Sequence, residues 1–213
     1  MKWQRARNAK QKQERRETIL DAAVALFETE GLENVSLNGI ARHAGLSKAN
    51  IYRYFESREA IFLHLAQEEF EKWTTDVEHR LASSAGSNDE ISVASAFTES
   101  LVDNQRLASL LAMMSSVLEQ NVTVEAVAEF KKSCLDYLLR LTNAVQVSMP
   151  GLTPEKSRQF VMMLYIFVAG IWPASHPADA AAEALKRPEL QGMRIDFKTD
   201  FLDAAAVMLR GLK

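Results

Sequence analysis

The chain has 213 residues, 47% of them hydrophobic and 25% charged, with five prolines, eight glycines and one cysteine. That composition excludes a disordered chain, and so few prolines and glycines argue against a loop-rich all-β fold. The net charge of −3 is uneven: residues 1–58 carry 11 Lys/Arg against 7 Asp/Glu, which leaves −7 on the other 155, and a positive end on an acidic body suits docking on phosphate.

In chain order, residues 1–11 show no apolar periodicity and read as a mobile basic arm rich in Lys and Arg, with Lys2, Arg5, Arg7 and Lys10. From about Gln13, Ile19, Ala22, Ala23, Leu26 and Phe27 recur at helical spacing, and Gly31 suits the left-handed position that closes the helix. A short helix follows from Leu37 to Ala44, with Ser36 as N-cap and Gly45 at its end. Ser47 caps a third helix anchored by Ile51 and Phe55, and Ser57 caps a long fourth with Phe62, Ala66, Phe70, Trp73, Val77 and Leu81 along one side. Beyond the Ser83–Asn88 turn, where Ser87 and Glu90 fit a capping box, helices are predicted at about 89–103, 106–119, 123–147, 154–172 and 197–211. A short one is predicted from Ala178 to Leu185. Thr153 before Pro154 is a cap with proline at the first helical position. The longest apolar run, Val161 to Trp172, has 12 residues, short of the ~20 that a membrane span needs. It is expected to be a buried helix, with no membrane role.

The expected fold is all-α with about nine to ten helices: a basic arm at 1–11, a three-helix N-terminal domain at 12–57, a linker helix at 58–84, and a C-terminal helical domain at 85–213. Cys134 stands alone, so no internal disulfide is possible, which suits a reducing cytoplasm.

The informative stretch runs from Ser36 to Phe55. Two short helices joined by a tight glycine-containing turn and buried on one side define a helix-turn-helix. Ala41 is small where the helices cross, Gly45 takes the turn, and Ile51 anchors the second helix from below. That leaves Ser47, Lys48, Ala49, Asn50, Tyr52 and Arg53 on the outer face. Lys48 and Arg53 suit phosphate or guanine, Asn50 carries the donor–acceptor pair that reads adenine, and Ala49 suits a thymine methyl.

The block from Ala22 through Phe62, and above all the string SLNGIARHAGLSKANIYRYFESREAIF (36–62), resembles the DNA-binding domain of the TetR family of bacterial repressors. The resemblance implies phosphate contacts from Ser36, Tyr52 and Arg58, and base contacts at or near Lys48, Ala49 and Asn50. The family commonly has glycine where this chain has Ala49, and serine or threonine where it has Asn50, so an operator sequence does not transfer. The resemblance also implies double-stranded operator DNA as partner, release by a small-molecule inducer of unspecified identity, and repression as the mode of control.

A two-fold operator requires two heads about one helical turn apart, so the chain is expected to form a homodimer. The expected interface lies on the last two long helices, at Phe160, Leu164, Phe167, Val168, Phe201, Ala205, Met208 and Leu209. A ligand cavity is expected among the middle helices, lined by Phe97, Leu101, Met113, Met114, Val117, Phe130, Cys134, Tyr137, Met162 and Trp172, since methionine adapts to apolar ligands. No cofactor and no metal are expected. His43, His64, His79 and His176 are scattered, and no phosphate loop or nucleophile elbow is present, which argues against an enzyme. The other alternative is a helical adaptor that binds only protein.

Overall fold

The computed structural model describes the backbone from Lys2 to Lys213 and the side chains of residues 10–114 and 116–213. Among the described residues there is no strand. Ten α-helices follow in chain order: α1 Lys2–Glu30, α2 Leu37–His43, α3 Lys48–Ile51, α4 Arg58–Ala82, α5 Glu90–Asp103, α6 Gln105–Met113, α7 Val124–Ser148, α8 Pro154–Ser175, α9 Asp179–Ala184 and α10 Phe197–Leu212. A π-helical turn occupies Met114–Leu118 and a 3-10 turn Pro188–Met193. The chain forms two compact units: residues up to Leu65 with Ser116–Val127, and Ala66–Ser115 with Ala128–Lys213.

In the first unit the local signals act as their chemistry requires. Ser36 Oγ accepts from the Gly39 N–H at 3.0 Å, and Ser47 Oγ from the Asn50 N–H at 3.3 Å. Gly31 and Gly45 both take positive φ, +74° and +66°, where a Cβ would be strained. The Leu46 N–H then reaches the Ala41 carbonyl at 2.9 Å, which fixes the turn between α2 and α3. Ile19, Ala23, Leu26, Val35, Ile40, Ile51, Phe55 and Phe62 form the interior, with Phe27 edge-on to Phe62. Burying each large aliphatic or aromatic chain contributes about 1.5–3 kcal/mol, so a four-residue α3 persists because Ile51 is anchored, not because it is long enough to hold itself.

The basic arm expected at 1–11 differs: the backbone is helical from Lys2, continuous with α1. The side chains of Lys2, Arg5 and Arg7 lie outside the described residues.

The second unit packs α10 against α5 and α8, and α6 against α8. Its core holds Trp73, Val77, Phe97, Leu101, Leu107, Leu141, Val145, Phe160, Leu164, Phe201 and Leu209. Asp89, not Ser87, caps α5: its carboxylate accepts from the Ile91 and Ser92 N–H groups, and Ser87 Oγ instead accepts from the Asp89 N–H. The helix expected over 106–119 ends at Met113 and continues as the π-helical turn. In α8 the helix runs past Pro173 to Ser175; a proline this close to the C-terminus disrupts only the last turn.

Six of the expected dimer-face residues are interior instead. Phe160, Leu164, Val168, Phe201, Ala205 and Leu209 are buried within the single chain, where α8 meets its neighbours and α10. Phe167 and Met208 are half-buried. The most exposed large apolar side chains of α8 and α10 are Ile166, 65% exposed, and Val207, 61% exposed.

Candidate functional site

Two features of the molecule suit function, one in each unit. The first is the outer face of α3. Within α3 Ile51 is fully buried, whereas Lys48, Ala49 and Asn50, the flanking Ser47, Tyr52 and Arg53, and Ser36 ahead of α2 are all exposed. The two capping hydroxyls accept helix N–H groups through oxygen, so each keeps its own proton to donate outward. Tyr52, 50% exposed, lies with Lys48 Nζ 5.7 Å from its ring centroid, a cation–π distance that keeps both groups on one surface. Beside them Lys12, Arg15, Arg53 and Tyr54 line a polar groove between α1 and the segment after α3. Arg16 is held over the Phe55 ring at 4.6 Å. Lys12 and Arg15 sit in a uniformly polar stretch, residues 10–16, where no spacing marks which positions border the groove.

Arg58 departs from the expectation of a phosphate contact. Its Nη1 donates to the Val35 carbonyl at 2.9 Å, and Nη2 and Nε donate to Glu59 Oε1 at 2.8 and 3.1 Å. The guanidinium is thereby turned inward, tying the start of α4 to the link before α2. Three of its five N–H donors are spent in this set, one on the Val35 carbonyl and two on Glu59.

The second feature is an apolar cavity of about 300 Å³ in the second unit. Phe70 and Trp73 of α4, Phe97 and Leu101 of α5, Leu111 of α6 and Met114 form part of the wall; α7 adds Phe130, Lys131, Cys134, Leu135, Tyr137, Leu138 and Leu141. Helix α8 supplies Val161, Met162, Leu164, Tyr165 and Val168, and α10 supplies Phe201. Thus Phe97, Leu101, Met114, Phe130, Cys134, Tyr137 and Met162 are brought together. Met113, Val117 and Trp172 are not among the walls: Met113 stands beside Met114 without lining the space, Val117 belongs to the first unit, and Trp172 is engaged elsewhere. Its Nε1 donates to Ser109 Oγ at 3.0 Å, and its ring stacks on His176.

The wall's polar groups are mostly engaged. Trp73 Nε1 donates to Ser100 Oγ at 2.9 Å and Tyr137 Oη to the Gln67 carbonyl at 3.2 Å. Tyr137 stacks on Phe70, centroids 5.7 Å apart; burial, reinforced by the Glu71 charge, pushes its phenol pKa up and keeps it neutral. Helices α4 and α7 are clamped by Arg140, which reaches Glu71 Oε1 and Glu78 Oε2, both at 2.7 Å. Sequence reasoning missed Phe70 and Trp73 as walls because their spacing is that of any core stripe. Among the described residues there is no metal-binding group of His, Cys, Asp and Glu, and no helix long and apolar enough to cross a membrane.

Comparison with known proteins bears on both features. A family model described as "Bacterial regulatory proteins, tetR family" matches residues 19–65, and one described as "Tetracyclin repressor-like, C-terminal domain" matches 67–213. An uncharacterized HTH-type transcriptional regulator of Mycobacterium tuberculosis (strain CDC 1551 / Oshkosh) is 51% identical over 43 residues, which are 20% of this chain and 21% of that one. The chain therefore spans about a fifth of the length of that curated relative. Among solved structures, the fatty acid degradation regulator FadR from Bacillus halodurans aligns over 93% of this chain and 96% of its own, with TM-score 0.60 and 17% identity. Thermus thermophilus FadR, a TetR-family transcriptional repressor solved with lauroyl-CoA, aligns over 92% and 93%, with TM-score 0.59 and 17% identity. At such identities the likeness is one of fold.

Proposed function

The chain belongs to the tetR family of bacterial regulatory proteins, and from that premise we propose that it is a ligand-responsive repressor that grips a two-fold DNA operator as a homodimer. The observation that carries this is the face of α3: Ile51 buried, Ser47, Lys48, Ala49, Asn50, Tyr52 and Arg53 all outward, inside the stretch that the DNA-binding family model matches. Asn50 and Lys48 read bases; Ser36, Ser47, Tyr52 and Arg53 hold phosphates. Arg58 positions the head internally and is left out of the contact set.

Dimerisation is proposed through the exposed apolar surface of α8 and α10, around Ile166 and Val207, in place of the buried residues that periodicity suggested. A half-buried groove beside it, with Met163, Phe167, Gly170, Met193 and Ile195, extends that surface. The cavity is proposed as the effector site. Its walls include Phe70 and Trp73 on α4 and Phe130 and Tyr137 on α7, and both of these helices continue into the first unit. A ligand that displaces those rings shifts α4, whose first turn is bonded to the helix-turn-helix through Arg58. Coupling of this kind is worth ~1–3 kcal/mol, about a 5- to 150-fold loss of DNA affinity. The setting is the cytoplasm.

The test is fluorescence anisotropy of duplex fragments selected by the purified protein, titrated across salt. Phosphate contacts require affinity to fall linearly on a log–log plot as counterions are released. A folded protein whose weak binding is indifferent to salt and to sequence would support the protein-binding adaptor instead.

A further inference from the structure

We propose that the cavity takes a neutral, largely aromatic molecule the size of two linked rings, in preference to an amphipathic carboxylate. This rests on the cavity being the effector site, and it deepens that reading by naming the class of ligand.

Three observations carry it. The first is size: an engineered cavity of ~150 Å³ takes benzene, and this one is about 300 Å³, room for a second ring. The second is the wall. Phe70, Trp73, Phe97, Phe130 and Tyr137 meet edge-to-face or stacked, with Trp73 and Phe97 centroids 6.0 Å apart and Phe70 and Phe130 6.4 Å apart. A flat aromatic guest extends such a set in the geometry aromatic pairs prefer.

The third is the state of the polar groups. Trp73 N–H and Tyr137 O–H already donate inside the protein, so neither turns to an incoming anion without abandoning a partner. Lys131 is the one charged residue on the described wall, and it is exposed to water and already engaged in an interaction of its own. An ion pair formed there is solvent-screened and worth little, whereas a carboxylate drawn deeper loses its hydration without compensation.

The experiment is isothermal titration calorimetry of the full chain with 4-phenylphenol, biphenyl-4-carboxylate and dodecanoate, followed by operator anisotropy with each. Binding of 4-phenylphenol at least tenfold tighter than either carboxylate is expected. Leu135→Trp, at the exposed rim where folding tolerates bulk, should weaken it severalfold; Val168→Trp, which fills the interior, should abolish it in a protein whose circular dichroism is unchanged. Equal or tighter binding of a carboxylate, no binding of any of the three probes, or indifference to both substitutions overturns the inference. If 4-phenylphenol binds as expected but leaves DNA affinity untouched, the ligand class stands and the effector reading falls. If dodecanoate alone releases DNA, the effector reading stands and the ligand class falls.

Discussion

The outer face of α3 and the cavity wall are both made by amphipathic helices, yet they put their chemistry on opposite sides. In α3 the buried side does the structural work through Ile51, and the polar side is free to meet a partner. In α4 and α7 the polar side is committed to ion pairs such as Arg140 with Glu71 and Glu78, and the apolar side encloses the space a ligand would fill. The lesson is that function in the first unit separates from stability residue by residue, whereas in the second the same side chains serve both. Substitutions should therefore split cleanly in the head and refuse to split in the body.

The largest effect expected is on stability within α3. Ile51→Ala empties a fully buried position and should cost ~2–5 kcal/mol, read as a drop in denaturation midpoint with DNA binding lost as a consequence. Next is Ile166→Asp with Val207→Asp. If those exposed side chains pack across a dimer, each contributes about 1.5–3 kcal/mol when covered, and light scattering should report a monomer that retains its helicity. A dimer that survives both changes removes α8 and α10 as the interface. Third, Asn50→Ala, in the same helix as Ile51, should leave the midpoint unchanged and cost ~1–3 kcal/mol of discrimination at one base position per half-site. Equal losses of stability from Asn50 and Ile51 substitutions would erase the contrast on which this comparison rests.

The smallest is a pH effect confined to the body. The Asp89 carboxyl is held below the usual carboxylate range by the Ser92 hydroxyl and then by the Ile91 N–H. A depressed folded-state pKa means the capping contribution is complete above the unfolded aspartate pKa and is lost as pH falls through the lower folded value. Asp89→Asn should flatten the acid limb of the stability curve below about pH 4; an unchanged limb would remove Asp89 as its source.

The head was legible in the sequence because its determinants are local. Ser36, Ser47, Gly31 and Gly45 act within a few residues of their own positions, so spacing alone reveals them. The inward bond of Arg58 was not legible because its partner, the Val35 carbonyl, is 23 positions away. In the body, helix existence was readable from periodicity, but the destination of each apolar face was not. Phe201, Leu164 and Val168 have the pattern of an interface and are cavity wall; Trp172 has the pattern of a wall and is bonded to Ser109. Burial against one's own chain, a ligand or a second copy all demand the same hydrophobic residues, and only tertiary packing separates them.

The most direct test of the DNA-reading face is methylation interference on a selected duplex, because dimethyl sulfate marks guanine N7 on the floor of the major groove. Two clusters of interfering guanines about one helical turn apart, ~34–36 Å, and a contraction of both clusters with Lys48→Ala, are the expected result. A single cluster, interference confined to adenines modified in the minor groove, or a footprint that Lys48→Ala leaves untouched would contradict a paired α3 seated in the major groove.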